Sequence, residues 1–182
     1  MNLVKTSLYT SISTAITFLS GFIVVKVVAV KIGPIGIAFV GQFQNTTAIL
    51  TMLGTAAVTM GVVKYLAQHR SDPEKVRKII GTAFAVALIS SIIISVLVMM
   101  SSYKLSVQAF KTEEYWLVYF LFGLFVTAVS FNVIFSAILN GLKQITMLTL
   151  VNIAASLIGV ACTLLGAYLF GILGVLLSST IT

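Results

Sequence analysis

The chain has 182 residues, 59% hydrophobic and 8% charged, with a net charge of +7. A soluble domain carries about 25% charged residues, so the composition excludes one and indicates a membrane protein. The basic excess does not indicate nucleic acid, because the charges fall mostly in the connections between apolar runs, where they report topology. Cys162 is the only cysteine and lies inside an apolar run, which leaves no disulfide framework or thiolate metal site within the chain and reads as packing.

A membrane crossing needs about 20 apolar residues. The first run predicts a helix at about 6–30. It is too long for a signal-peptide core and lacks a small-residue cleavage site, so an uncleaved helix is expected. Thr6, Thr10, Ser13, Thr17 and Gly21 share one face of it. Lys26 is the only charge well inside a long apolar run, where insertion costs at least about 2.5–3.5 kcal/mol. It lies about 180° around the helix from Thr17 and roughly 6 Å below Val30, so both a cavity position and snorkelling to the interface are open.

Gly33-Pro34-Ile35-Gly36 predicts a tight hairpin into a second helix at about 36–65. On one face of that helix lie Gln44, Thr47, Thr51, Thr55 and Thr59, with Gln42 and Asn45 beside Gln44. This stripe has two readings: hydrogen bonding between helices at about 0.6–2 kcal/mol per contact, or the lining of a hydrophilic cavity. The basic connection 66–78 follows Lys64 and holds Arg70, Lys75, Arg77 and Lys78 against Asp72 and Glu74. Asp72-Pro73-Glu74 reads as an N-cap, a first-turn proline and a first-turn acid, predicting a short surface helix before the third span at about 79–101.

A loop near Tyr103 to Glu114 then leads past Tyr115 and Trp116, suited to a membrane interface, into a fourth helix at about 115–139. That helix carries Asn132, Ser136 and, at its end, Asn140. A fifth, at about 145–170, carries Asn152, Ser156, Gly159, Thr163 and Gly166, whose glycines favour close packing. Gly171-Ile172-Leu173-Gly174 predicts a second short hairpin, and a sixth helix starting at 172 is incomplete at 182, so the sequence reads as a truncated polytopic protein. With alternating helices one side collects Lys5, the basic connection and Lys143, and the other Lys31, Lys104 and Lys111, which predicts a cytoplasmic N-terminus.

All four acids lie outside the expected spans. Hydrolysis by paired carboxylates and a cation site built on a buried carboxylate therefore have no candidates. His69 reads as a solvated loop residue, and there is no phosphate-binding Gly-rich loop and no nucleophile with a base. No enzyme activity, cofactor or metal is expected.

The segments Leu3-Val4-Lys5-Thr6-Ser7-Leu8, Lys26-Val27-Val28-Ala29-Val30, Gly33-Pro34-Ile35-Gly36, Gly41-Gln42-Phe43-Gln44-Asn45 and Gly61-Val62-Val63-Lys64-Tyr65 resemble the O-antigen translocases and the related flippases for the enterobacterial common antigen lipid. The resemblance is specific over residues 1–82 and rests on helix spacing afterwards. It implies the multidrug, oligosaccharidyl-lipid and polysaccharide exporter superfamily of the bacterial inner membrane. The fold implied is all-α and two-lobed with twelve helices, of which this chain would be the N-terminal six-helix lobe, its sixth helix truncated. The activity implied is transfer of an undecaprenyl-pyrophosphate-linked oligosaccharide from the cytoplasmic to the periplasmic leaflet by alternating access.

Substrate-binding candidates are then Lys26, Gln42, Gln44, Asn45, Thr51, Thr55 and Lys64, the lysines for pyrophosphate and the amides and hydroxyls for sugar. Implied partners are the lipid-linked oligosaccharide, membrane lipids, and polysaccharide polymerase and chain-length regulator proteins, with no nucleic acid. Alternatives are a multidrug or small-solute exporter of the same superfamily and a non-transporting scaffold of a glycan assembly complex.

Overall fold

The computed structural model describes the backbone of residues 3–55 and 58–180, and side chains from Leu8 onward within those ranges. The side chains of Lys5 and Thr6, positions 56 and 57 of the expected second helix, and residues 181 and 182 of the incomplete sixth helix lie outside the described residues. Among those described, the protein is all-α: α1 (Leu3–Lys31), α2 (Pro34–Gly54), α3 (Thr59–Gln68), α4 (Pro73–Phe110), α5 (Trp116–Gly141) and α6 (Ile145–Ser178). Four of these are long and apolar enough to cross a membrane, and α2 with α3 makes a fifth span if the bent pair counts as one.

The expected helix at 36–65 is divided. α2 ends at Gly54, and α3 leaves at 52° to it. Nothing in the hydropathy marks this point, but the hydroxyls do. Thr55 Oγ1 donates to the Met52 carbonyl at 3.0 Å, and the Val58 N–H turns to the Thr55 carbonyl at 3.1 Å. Such three-residue closures compete with the four-residue helical ladder.

α4 is longer than the expected 79–101. Asp72 caps its start, accepting the Lys75 N–H at 3.1 Å, and the surface helix and the span are one element. This contact and the Lys75 ammonium hold the Asp72 carboxyl below its ordinary range. A depressed carboxyl supports the helix start above its unfolded range and loses that support as pH falls through the lowered value. At the other end Ser102, Ser106 and Phe110 extend a face with four-residue spacing that includes Ala83, Ala87 and Ser91, all buried. Packing along that face carries the helix past the expected loop start, until Lys111 ends it in a left-handed conformation with φ 58°.

α4 and α5 form the most closely packed pair. Ser95 Oγ donates to the Gly123 carbonyl at 2.5 Å, and Phe84 meets Phe131 with ring centroids 5.5 Å apart. α2 lies against both, through Phe43 on Tyr119 and Phe122, and Phe39 on Phe110 and Tyr115. α1 and α6 make a second, parallel pair at the edge of this assembly. Thr17 faces Ser156, Val28 packs with Ala167, and Lys31 Nζ lies 4.2 Å from the centre of the Tyr168 ring.

α6 contains a reversal. Gly171 adopts φ 59°, ψ −132°, a region open mainly to glycine, and residues after it fold back on those before it. The backbones of Gly166 and Gly174 meet, and Ser178 Oγ donates to Thr163 Oγ1 at 3.4 Å. The second helix hairpin thus starts inside α6, at the glycine pair read from the sequence.

Candidate functional site

A groove of about 580 Å³ opens between α1, α2 and α6. Its walls are largely valine, among them Val24, Val28, Val40 and Val160, and along them run Thr17, Ser20, Gln44, Ser156, Thr163 and Ser179. A second recess of about 440 Å³ continues past Thr17 and Gly21 to Ser13, Thr14 and Asn152, between Phe18 and Phe22. Thr17 is the central residue of α1, so this polar line crosses the middle of the span.

Helical spacing explains the line. Thr10, Ser13, Thr17 and Gly21 recur at three or four residues on α1, as Asn152, Ser156, Gly159 and Thr163 do on α6. Because the helices run parallel, the stripes meet in register, with Thr17 Oγ1 and Ser156 Oγ hydrogen-bonded at 3.2 Å. Gly21 and Gly41 both line the groove, and a Cβ on either would meet nothing within 4 Å, so these glycines mark open space rather than close packing.

Of the sequence-derived candidates, Gln44 lines this groove. Gln42 and Asn45 are exposed on neighbouring parts of α2, Thr51 is half-buried, and Thr55 is buried with its hydroxyl bonded to its own helix. Lys26 is exposed and lies outside the groove lining, although Val25 and Val28 belong to it. Lys64 is exposed on α3, beyond the bend. The structure therefore collects Gln44 with Thr17, Ser20, Ser156 and Thr163, and leaves the other candidates apart from them. Asn132 and Asn140 of α5 are exposed and line neither recess.

The residues that sequence reasoning left out of the site are those of α1 and α6. Their signal was present as two stripes of the same period and composition, but which helices pair is a tertiary matter. None of the groove's lining residues is ionisable, and its oxygens and one amide lie beside apolar walls. Chemically, it can hydrogen-bond neutral hydroxyls while solvating an alkyl or isoprenoid chain. The Thr17–Ser156 bond adds little to stability: in a cycle of Thr17→Val and Ser156→Ala, thermal denaturation should give a coupling of about 0.6 kcal/mol and at most about 2 kcal/mol.

The chain matches the family model described as polysaccharide biosynthesis protein over residues 3–182. It is 29% identical to the Lipid III flippase of Escherichia coli (strain K12) over 177 residues, which are 97% of this chain and 42% of that protein. The Lipid III flippase of Shigella flexneri matches with the same identity and coverage. The chain thus spans less than half the length of these curated relatives. No solved structure matches it. With the family match covering every helix described above, the chain belongs to the polysaccharide biosynthesis protein family of membrane proteins.

Proposed function

We propose that this chain is the N-terminal lobe of an inner-membrane flippase. It moves an undecaprenyl-pyrophosphate-linked oligosaccharide, of the O-antigen or enterobacterial common antigen type, from the cytoplasmic to the periplasmic leaflet, and it is not an enzyme. Similarity to two proteins named Lipid III flippase along 97% of the chain carries this reading. The mid-span groove supports it, since saccharide hydroxyls suit Thr17, Ser20, Gln44 and Ser156 while the valine walls suit the lipid. Alternating access follows from rocking of this lobe against a second one around a site near the bilayer midplane.

The N-terminus and the basic segment 66–78 lie on the cytoplasmic side by the positive-inside rule. Lys64 then stands near the cytoplasmic end of its span and Lys26 near the periplasmic end. Both are exposed, and neither is in an ion pair among the described residues, where Asp72 and Glu74 engage Lys75 and Lys78. In this reading they receive and release the pyrophosphate by charge-assisted hydrogen bonds. Gln42 and Asn45 are exposed on α2 and can meet sugar hydroxyls outside the groove, whereas Thr55 is buried with its hydroxyl bonded to its own helix and does not take part.

The test is transfer of a labelled lipid-linked glycan across liposomes by the reconstituted full-length protein. Equal leaflet-exchange kinetics with and without protein would sink the proposal. Lys26→Ala should reduce surface glycan at least tenfold with unchanged protein abundance, the loss of one charge-assisted contact being about 1.5–3 kcal/mol. Wild-type surface glycan in that variant would leave Lys26 only its snorkelling role.

A further inference from the structure

α4 and α5 run antiparallel, so the start of α4 and the end of α5 share one end of the bundle. Towards that end Phe84 meets Phe131, with ring centroids 5.5 Å apart. Arg77 precedes Phe84 by seven residues, about two turns, so it stands on the same face of α4 and level with about Ile138 of α5. Leu88 continues this face of α4 and Phe135 that of Phe131 on α5, and both are exposed. The outer side of the α4–α5 seam is thus an apolar strip with an arginine at its polar end.

A second cation is fixed at the same end. The Lys143 N–H bonds the Asn140 carbonyl at 3.0 Å and the Gln144 N–H the Leu139 carbonyl at 2.9 Å, with Lys143 in a left-handed conformation, φ 57°. This Schellman turn sets where the lysine leaves α5, about one turn farther out than Arg77. Among the described residues, Lys64, Arg70, Lys75, Arg77, Lys78 and Lys143 stand at this end against Asp72 and Glu74. Lys75 binds Asp72 at 3.1 Å and Lys78 binds Glu74 at 2.8 Å, whereas Arg77 and Lys143 are exposed and form no ion pair among the described residues. At the opposite end of the same helix pair Lys104 and Lys111 are accompanied by Glu113 and Glu114. The positive-inside bias accounts for an excess of cations on one side of a membrane, but not for two unpaired ones at the polar end of one apolar seam.

We propose that this corner binds an anionic phospholipid, its phosphodiester held by Arg77 and Lys143 and an acyl chain lying along Leu88 and Phe135. The planar arginine fork takes two phosphate oxygens, and the lysine ammonium adds a point charge beside them. Basic sites between helices at the membrane surface receive such headgroups, each cation within reach strengthening binding about fivefold. The apolar strip below the two cations selects a lipid over a free anion, because it covers an acyl chain that a free anion lacks. Lys64, given above to the pyrophosphate, is not one of the ligands, and the site is independent of what the groove carries.

The thermal midpoint of the full-length protein in an uncharged detergent, titrated with phosphatidylglycerol against phosphatidylcholine of the same acyl chains, tests it. The midpoint should rise more with phosphatidylglycerol, and Arg77→Gln and Lys143→Gln should each raise the phosphatidylglycerol fraction for half the effect about fivefold, and together about 25-fold. Lys104→Gln removes the same charge at the opposite end of α4 and should leave that fraction unchanged. A wild-type midpoint no higher in phosphatidylglycerol than in phosphatidylcholine overturns the proposal. So does an unchanged response in the double variant, or an equal change in Lys104→Gln, which would reflect overall charge. A full response to inorganic phosphate in place of the lipid also overturns it, leaving a plain anion site.

Discussion

Gly174→Val is expected to remove most of the folded protein from the membrane. A Cβ at Gly174 would overlap the carbonyl of Gly166, and one at Gly166 would meet the carbonyl of Gly174, so backbone faces backbone and no side chain can rotate away. Overpacking a core typically costs about 1–3 kcal/mol when side chains can shift; here the two arms of α6 must separate, and the cost should be at or above the top of that range. Separation would also break the Ser178–Thr163 hydrogen bond and uncover Val175, which packs with Val28 and Ala167. Against total stabilities of about 5–15 kcal/mol, that is a large share. Quantitative immunoblotting of membranes and a thermal melt measure the effect. Gly81→Ala is the control: a Cβ there meets nothing within 4 Å, and a better helix former should leave abundance unchanged or slightly higher. Equal abundance of Gly174→Val and wild type would refute the close approach of the two arms.

Gly21→Leu and Gly41→Leu should do the reverse, keeping the fold and abolishing the transport proposed for the full-length protein. Both positions lie inside helices and line the groove, and each has open space where the Cβ would stand. Leucine improves helix propensity by about 1 kcal/mol over glycine, so abundance should hold. Its side chain would project into the space beside Thr17, Ser20 and Gln44 that the proposal gives to the solute. The expectation is at least a tenfold fall in flipping rate in liposomes at wild-type protein level, for either variant. Wild-type flipping in both would exclude the groove as the path, whatever the function of the whole protein.

The same physics separates what was legible in the sequence from what was not. The hairpin at Gly33-Pro34 and the cap at Asp72-Pro73-Glu74 are local, set by backbone freedom and by a side chain reaching its own helix start, and both stand where the residues place them. The bend at Gly54 was not legible, because an apolar run rich in threonine has the same hydropathy whether its hydroxyls bond within the helix or divert it. The extension of α4 to Phe110 was hidden for a different reason: Ser102 and Ser106, which look like loop residues, are buried, with their hydroxyls bonded to the Met99 and Thr112 carbonyls.

The candidate site shows the limit most clearly. Hydroxyl and small residues at helical spacing occur on α1, α2, α4, α5 and α6, and sequence alone could not rank their faces. In the structure the α4 face closes on α5, with Ser95 bonded across the interface and Gly123 against Met99. The α1 and α6 stripes are hydrogen-bonded at Thr17 and Ser156 but leave a groove beside that contact. Composition and spacing by themselves determined a membrane-embedded helical protein with acid-free spans, because the cost of burying charge acts on every residue wherever it packs. Which stripe became a seam and which a groove was decided by tertiary structure, since that depends on how closely two particular backbones approach.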